Sequence, residues 1–388
     1  MKSLFRKIRN TVEDFLGIAV RAFLALFPRN RNLLVFGAWA GERYDDNARA
    51  LFEYCLSNRP DLRCIWHTRS RAVFEEMSRA GLPVCRIRSF RAIRNILRAK
   101  YIICTDSALD YGWDVCTGGA TVVNLWHGSG PKMSVYEVNP LPTPLGQYMA
   151  KLRRRLSHYR YVTTSEEMVT RYTRLFNYDR EYILNLGQGR NDLFYTPHTN
   201  PLREAYPLKR IVVYMPTFRE EGKKRIPIDL GSIIDLSALD ELCGRENMVF
   251  LVKFHQWTPG HLEGDYRNII ELKDGSLRVQ MILDAADVFI TDYSSCFVDH
   301  LLLDRPQILF AYDLDRYLRD ERHLYGDYLA DATGPVCRDG ASLLSELEDI
   351  AHGADGYAAA RHKMLDRYYS ICNRGPVLQK QLETILSM

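Results

Sequence analysis

The chain has 388 residues, 46% hydrophobic and 26% charged, values of a folded globular protein that is long enough for two domains. Its net charge of +4 hides an uneven division: residues 1–200 carry 30 Lys and Arg against 18 Asp and Glu, and the remainder 22 against 30. A basic half joined to an acidic half points to one domain facing an anionic surface; with no nucleic-acid-binding module motif in the chain, a membrane ranks first and no nucleic-acid partner is expected.

Residues 2–27 read as one amphipathic helix, with Phe5, Ile8, Val12, Phe15, Ala19, Phe23 and Leu26 recurring every three or four positions. Lys2, Arg6, Lys7 and Arg9 precede its most apolar part, and Arg29 and Arg31 follow Pro28. The apolar stretch 15–27 is interrupted by Arg21 and is shorter than the ~20 residues a bilayer span needs. No small-residue cleavage site follows it, so a signal peptide is not expected. Two readings stay open for this segment, 1–31: it lies flat in an anionic leaflet, or it packs on the protein's own core.

From residue 32 strands and helices alternate. Strands are expected over 33–36, 64–66, 84–87, 101–104, 121–126, 161–164 and 182–186, with helices over 47–55 and 72–80, the pattern of a parallel sheet flanked by helices. Arg91, Arg94 and Arg98 share one helical stripe, and Lys151, Arg153, Arg154 and Arg155 form a second basic cluster. Both read either as a headgroup-facing surface or as ordinary solvated faces. A polar, proline-bearing stretch over 195–207 is the expected boundary. The alternation then restarts, with strands over 211–214, 249–254, 288–290 and 307–310. Helices are expected over 236–243, 281–285, 295–303, 342–351, 356–369 and 376–388. The nine scattered cysteines, several inside apolar runs, fit a reducing compartment and not a disulfide framework. Neither cysteines nor histidine–carboxylate spacing offers a metal site, and no cofactor or metal is expected.

Several strand ends carry residues with chemistry. Val288-Phe289-Ile290 runs into Thr291-Asp292-Tyr293-Ser294-Ser295 and then into apolar residues at helical spacing, which reads as strand, tight turn and helix. A helix start of this kind suits a phosphate or diphosphate, although either serine could be a cap alone. His127 follows another β-rich run and opens a glycine-bearing loop, the place where open α/β sheets put function. A hydrogen-bonded structural histidine is the plainer alternative.

The stretch TDYSS followed by FVDHLLLDRPQILFAYDLDRY resembles the signature of the CDP-glycerol glycerophosphotransferase family, the teichoic-acid primases and polymerases. Trp126-His127-Gly128-Ser129-Gly130-Pro131-Lys132 is similar to the family's W-H-G-T-P-L-K motif, with Ser-Gly-Pro in place of Thr-Pro-Leu. Pro216-Thr217-Phe218-Arg219 resembles P-T-[WF]-R, and Lys253-Phe254-His255-Gln256 resembles K-x-H-P with Gln256 replacing proline. Gly41-Glu42-Arg43-Tyr44-Asp45-Asp46-Asn47 and Gly187-Gln188-Gly189-Arg190-Asn191-Asp192 are similar to two further elements, G-x-x-Y-x-D-N and G-Y-P-R-N-D.

The resemblance implies an α/β, GT-B-like architecture: two Rossmann-type domains facing across a cleft, behind an N-terminal amphipathic helix. The acceptor domain would span 32–195 and the CDP-glycerol domain 208–388, with the final helix crossing back. It implies transfer of glycerol phosphate from CDP-glycerol to a hydroxyl of a lipid-linked saccharide or growing polyol-phosphate polymer, releasing CMP, at the cytoplasmic face of a membrane. His127 would be the base and His255 the group on the diphosphate. Gly128, Lys132, Thr217, Arg219, Lys253, Asp292, Ser294 and Ser295 would bind substrate. Ribitol phosphate in place of glycerol phosphate, a nucleotide-sugar donor, and a catalytically silent membrane-surface protein are the alternatives. Retention of both histidines counts against the last.

Overall fold

A computed structural model describes residues 2–130, 144–221, 224–255, 260, 262–273, 275, 277–321 and 323–388, with side chains from residue 13 onward. The chain divides into two compact units. The first comprises Met1–His127, Val135–Asp192 and Cys372–Met388, and the second Gly128–Ser134 and Leu193–Ile371.

In chain order the first unit holds α1 (Lys2–Leu24), β1 (Asn30–Phe36), α2 (Asp46–Asn58), β2 (Arg63–Thr68), α3 (Arg71–Arg79), β3 (Val84–Arg86), α4 (Phe90–Arg98), β4 (Ala99–Cys104), β5 (Thr121–Asn124), α5 (Pro144–Leu156), β6 (Arg160–Thr163), α6 (Glu166–Phe176) and β7 (Ile183–Asn185). Among the described residues its strands pair in the order β3-β2-β1-β4-β5-β6-β7, all parallel. Side chains alternate across a strand, so each face of this sheet buries its own set. Leu34, Phe36, Trp66 and Ile103 pack with Leu51, Phe52 and Cys55 of α2 on one side. Leu33, Val35, Ile65 and Ile102 pack with Ala92 and Ile96 of α4 on the other.

The second unit holds α7 (Pro201–Ala205), β8 (Arg210–Met215), β9 (Arg219–Glu221), β10 (Lys224–Ile226), α8 (Leu236–Arg245), β11 (Met248–Val252), β12 (Ile269–Glu271), α9 (Val279–Ala285), β13 (Val288–Thr291), α10 (Cys296–His300), β14 (Gln307–Phe310), α11 (Leu314–Asp320), β15 (Val336–Cys337), α12 (Gly340–Ala351) and α13 (Ala358–Tyr368). Its main sheet runs β12-β11-β8-β13-β14-β15, again parallel, beside an antiparallel pair, β9 and β10, that the sequence reading did not anticipate.

The last helix, α14 (Leu378–Leu386), belongs to the first unit although chain order places it after the second. Leu378, Leu382 and Ile385 join the α2 face of the core. At its start the Asp192 carboxylate accepts the N–H groups of Val377 and Leu378 at 2.8 and 3.0 Å, and near its end Tyr101 Oη donates to the Leu386 carbonyl at 2.9 Å.

Two arginines tie the N-terminal segment to the rest of the first unit. Arg21, read as an interruption of its apolar stretch, is buried and ion-paired with Asp114 of the first unit. Arg29, which follows Pro28, donates to the carbonyl of Cys116 at 2.9 Å. The helix lies so close at Gly118 that a Cβ there would fall 1.9 Å from the Arg21 carbonyl oxygen. Among the described residues no helix is long and apolar enough to cross a membrane.

Candidate functional site

In the first unit the strand order reverses between β1 and β4, and the loops leaving those strands part at the carboxyl edge, where open sheets bind ligands. Asp110, fully buried, ties the two loops together. One carboxylate oxygen accepts the Ala40 N–H beyond β1 at 2.7 Å; the other accepts the N–H groups of Thr105 and Asp106 beyond β4, both at 2.8 Å. Burial pushes the Asp110 pKa upward, and these N–H bonds pull against that rise.

Fixed in this way, the Thr105 carbonyl lies 3.2 Å from Nδ1 of His127. A carbonyl can only accept, so neutral His127 carries its proton on Nδ1 and its lone pair on Nε2. The ring lies against Trp126, centroids 4.4 Å apart, and Trp39, 5.9 Å apart. The backbone here is unusual. Trp39, Ala40's neighbour in the first loop, has φ +51, Asp46 has φ +68 and Trp126 has φ +57, all in the left-handed region and each costing ~1–3 kcal/mol. Trp126 is held there by an N–H bond to Asn124 Oδ1 at 2.9 Å and by Asn47 Nδ2, which donates to its carbonyl at 2.8 Å.

Gly128 begins the segment assigned to the second unit and has φ +136, which glycine alone adopts readily. Two residues on, a Cβ at Gly130 would fall 2.7 Å from the Cβ of Ser295, so only glycine lets this loop lie on the serine. Lys132, expected to bind substrate, lies outside the described residues.

The second unit repeats the reversal, between β8 and β13. Asp292, just past β13, accepts the Thr217 N–H, just past β8, at 2.9 Å, and the Tyr293 N–H at 2.6 Å. Arg219 completes the brace. Its Nη2 donates to Asp292 at 2.8 Å and to Asp313 at 3.0 Å, its Nε to Asp313 at 2.7 Å, and its Nη1 to the Thr217 carbonyl at 2.6 Å. Burial alone would lower the Arg219 pKa, but the two carboxylates outweigh it and raise it. The guanidinium is 2% exposed and ringed by Tyr293, Tyr312 and Tyr317. All of these Arg219 bonds go to internal acceptors, because two carboxylates far along the chain close on it.

Ser294 Oγ accepts the Cys296 N–H at 3.3 Å, while the Ser295 side chain makes no capping bond. The expected helix over 295–303 is only Cys296–His300, followed by a 3-10 turn at Leu301–Leu303. A five-residue helix offers little macrodipole, so any affinity for a diphosphate at this edge must come from side chains and loop N–H groups. Lys253 and His255 follow β11, which flanks β8 on the side away from β13, and the His255 ring lies 5.0 Å from that of Phe218. The carboxyl ends of three adjacent strands thus carry Lys253 and His255, Thr217, and Asp292 with the two serines. Tyr328 Oη donates to the Asp292 carbonyl at 2.9 Å and also lines an open cavity of about 730 Å³ beyond β14 with Leu318, His323 and Arg338. Among the described residues no group of three or more His, Cys, Asp or Glu could hold a metal ion.

Asp110, Thr105 and Asp313 were not singled out from sequence. Asp110 carried one usable signal, an acidic residue a few positions beyond an apolar strand, in Thr105-Asp106-Ser107-Ala108-Leu109-Asp110.

The chain is similar in sequence and fold to several known proteins. The family model for CDP-glycerol:poly(glycerophosphate) glycerophosphotransferase matches residues 18–386. A teichoic acid glycerol-phosphate transferase of Staphylococcus aureus is 26% identical, over 97% of this chain and 99% of that protein. A teichoic acid poly(glycerol phosphate) polymerase of Bacillus subtilis is 26% identical over 90% of this chain, which spans 49% of that protein. The structure of the wall teichoic acid polymerase TagF superposes with a TM-score of 0.76 at 22% identity, covering 100% of this chain and 98% of that one. A UDP-GlcNAc 2-epimerase of Neisseria meningitidis superposes at 0.55 with 12% identity, covering 92% and 99%. These likenesses place the two parallel-sheet units in the GT-B class of α/β folds.

If Arg219 is a brace, Arg219→Met leaves two carboxylates buried beside an apolar chain. Loss of one partner of such a pair costs ~3–5 kcal/mol. Urea unfolding followed by intrinsic fluorescence should show a loss of that order; a loss below ~1 kcal/mol, in the range of an exposed pair, would contradict the brace.

Proposed function

The chain belongs to the CDP-glycerol:poly(glycerophosphate) glycerophosphotransferase family, so its reaction is transfer of glycerol phosphate from CDP-glycerol to a hydroxyl with release of CMP, and we propose how its residues divide that work. His127 is the general base. The observation that carries this is the Thr105 carbonyl on Nδ1, which leaves Nε2 to accept the proton of the acceptor hydroxyl. As that proton moves to Nε2, the hydroxyl oxygen bonds to the glycerol-bearing phosphorus. The bond from that phosphorus to the oxygen of the CMP phosphate breaks, and the electron pair leaves with CMP.

The donor is held by the loops beyond β8, β11 and β13. Lys253 and His255 meet the diphosphate charge that grows on the leaving side, and Ser294 and Ser295 supply hydroxyls. Thr217, Arg219 and Asp292 keep these loops in register, and Gly128 and Lys132 belong to the acceptor loop. The acceptor is a hydroxyl on a lipid-linked saccharide or growing polyol-phosphate chain, a reading supported by the teichoic-acid names of the relatives.

Such an acceptor places the enzyme at the cytoplasmic face of a membrane, and one side of the first unit suits an anionic leaflet. On and just beyond α1, Phe15, Phe23 and Leu26 are 53%, 59% and 80% exposed; at the start of α4, Phe90 is 92% exposed beside exposed Arg91, Arg94 and Arg98. Both helices pack on the same 3-10 turn, Asp114–Thr117. The second basic cluster contributes less than its sequence implies. Arg153 bonds Asp14 at 2.9 Å, Arg154 the Phe176 carbonyl at 2.5 Å, and Lys151 and Arg155 lie near Asp179.

Two expected outcomes follow. Phe23→Ser with Leu26→Ser should weaken sedimentation with phosphatidylglycerol vesicles while CDP-glycerol affinity stays unchanged, and added salt should weaken the parent protein's binding as well. Equal vesicle binding by parent and variant would refute the interfacial role. In the site, His127→Ala should lower single-turnover CMP release by ~10²–10⁴-fold and leave the donor dissociation constant near the parent value. His255→Ala should lower turnover and weaken donor binding together. The opposite pattern would reverse the assignment, and near-normal turnover in both folded variants would refute the mechanism.

A further inference from the structure

Two stretches without a part in this mechanism, Gly41–Asn47 and Gly187–Asp192, meet on the backbone of the histidine loop. Arg190 Nη1 donates to Asp46 Oδ1 at 2.7 Å and to the His127 carbonyl at 3.0 Å. The backbone N–H of Arg190 donates to Asn47 Oδ1 at 3.1 Å, and Asn47 Nδ2 donates in turn to the Trp126 carbonyl at 2.8 Å. The Arg190 and Asp46 side chains are 12% and 4% exposed, so water competes little for these bonds. Asp46 sits at φ +68 and accepts the Asn47 N–H at 2.8 Å on the same oxygen that meets Arg190.

The carbonyls of Trp126 and His127 belong to the two peptide planes that flank the His127 Cα. Fixing both planes fixes φ and ψ of that residue, and with them the direction of its Cα–Cβ bond. The Thr105 carbonyl then fixes the far end of the side chain at Nδ1. We propose that Arg190, seated by Asp46 and Asn47, is a positioning residue that aims Nε2 of His127. The proposal rests on the reading of His127 as the base. It also gives the two stretches one purpose: about 140 residues apart in the chain, they close a single clamp on the base.

A misplacement of about 1 Å can cost on the order of 10²-fold in rate, so Arg190→Met should lower single-turnover CMP release by that order with CDP-glycerol and a synthetic lipid-linked saccharide acceptor. Donor affinity should be unchanged. A purely structural role would also slow the enzyme, so the deciding readout is a double-mutant cycle with His127→Ala. If Arg190 acts through His127, Arg190→Met should have no further effect on the residual rate of His127→Ala. Should Arg190→Met fail to fold, Arg190→Lys serves in its place. It keeps a charge against Asp46 but lacks the planar fork, so it should show a smaller loss that also vanishes in the His127→Ala background. Equal losses in both backgrounds, or parent-like turnover in a folded Arg190 variant, would overturn the clamp alone. Near-normal turnover by His127→Ala itself would overturn the base assignment, and the clamp with it.

Discussion

In each unit a buried carboxylate at the point where the strand order reverses holds the functional loops in place. A parallel sheet satisfies its own N–H groups only as far as its strands run. The loops beyond bring further N–H groups into the interior, and an unmatched one costs ~1–3 kcal/mol. Asp110 gathers those of the loops after β1 and β4, and Asp292 those of the loops after β8 and β13. The arrangement is the same in both units because the strand order around the reversal is the same. His127 depends on the first carboxylate through the Thr105 carbonyl; the PTxR and TDYSS loops depend directly on the second.

The two units use this device for different electrostatic ends. Around Asp292 the charge is internal: Arg219 and Asp313 close a brace under three tyrosine rings and present little charge outward. On the proposed reading, contact with a diphosphate falls to Lys253 and His255 on the neighbouring strand end. Around Asp110 the carboxylate serves backbone N–H groups, and its effect is conformational. It steadies a carbonyl that selects one imidazole tautomer, beside residues held at φ angles that most side chains avoid. On the same reading, one unit holds charge and the other moves a proton.

Much of this was legible in the sequence where the physics is local. Fully buried parallel strands write continuous apolar runs, and the 33–36, 101–104, 249–254 and 288–290 stretches read as strands on that ground, the third ending at Val252 in the structure. The motifs stood out because each begins where such a run ends. What sequence did not disclose was long-range pairing. The pairing of Arg219 with Asp292 and Asp313, of Arg21 with Asp114, and of Arg29 with the Cys116 carbonyl spans tens of residues and leaves no local pattern. Periodicity also overestimated α10, since Leu301–Leu303 continue the helical spacing while the backbone tightens to a 3-10 turn and Asp304 turns to φ +46. The return of α14 to the first unit depends on Asp192, nearly 190 residues earlier, taking its first N–H groups.

The proposed base chemistry turns on which nitrogen of His127 carries the proton. Nitrogen-15 spectra of the protein labelled at histidine, with His127 identified by its absence in His127→Ala, report this directly when the ring is neutral. The expected result is a protonated, pyrrole-type Nδ1 and an unprotonated, pyridine-type Nε2. A protonated Nε2 in the neutral ring would contradict the account, because that nitrogen could not then accept the acceptor's proton.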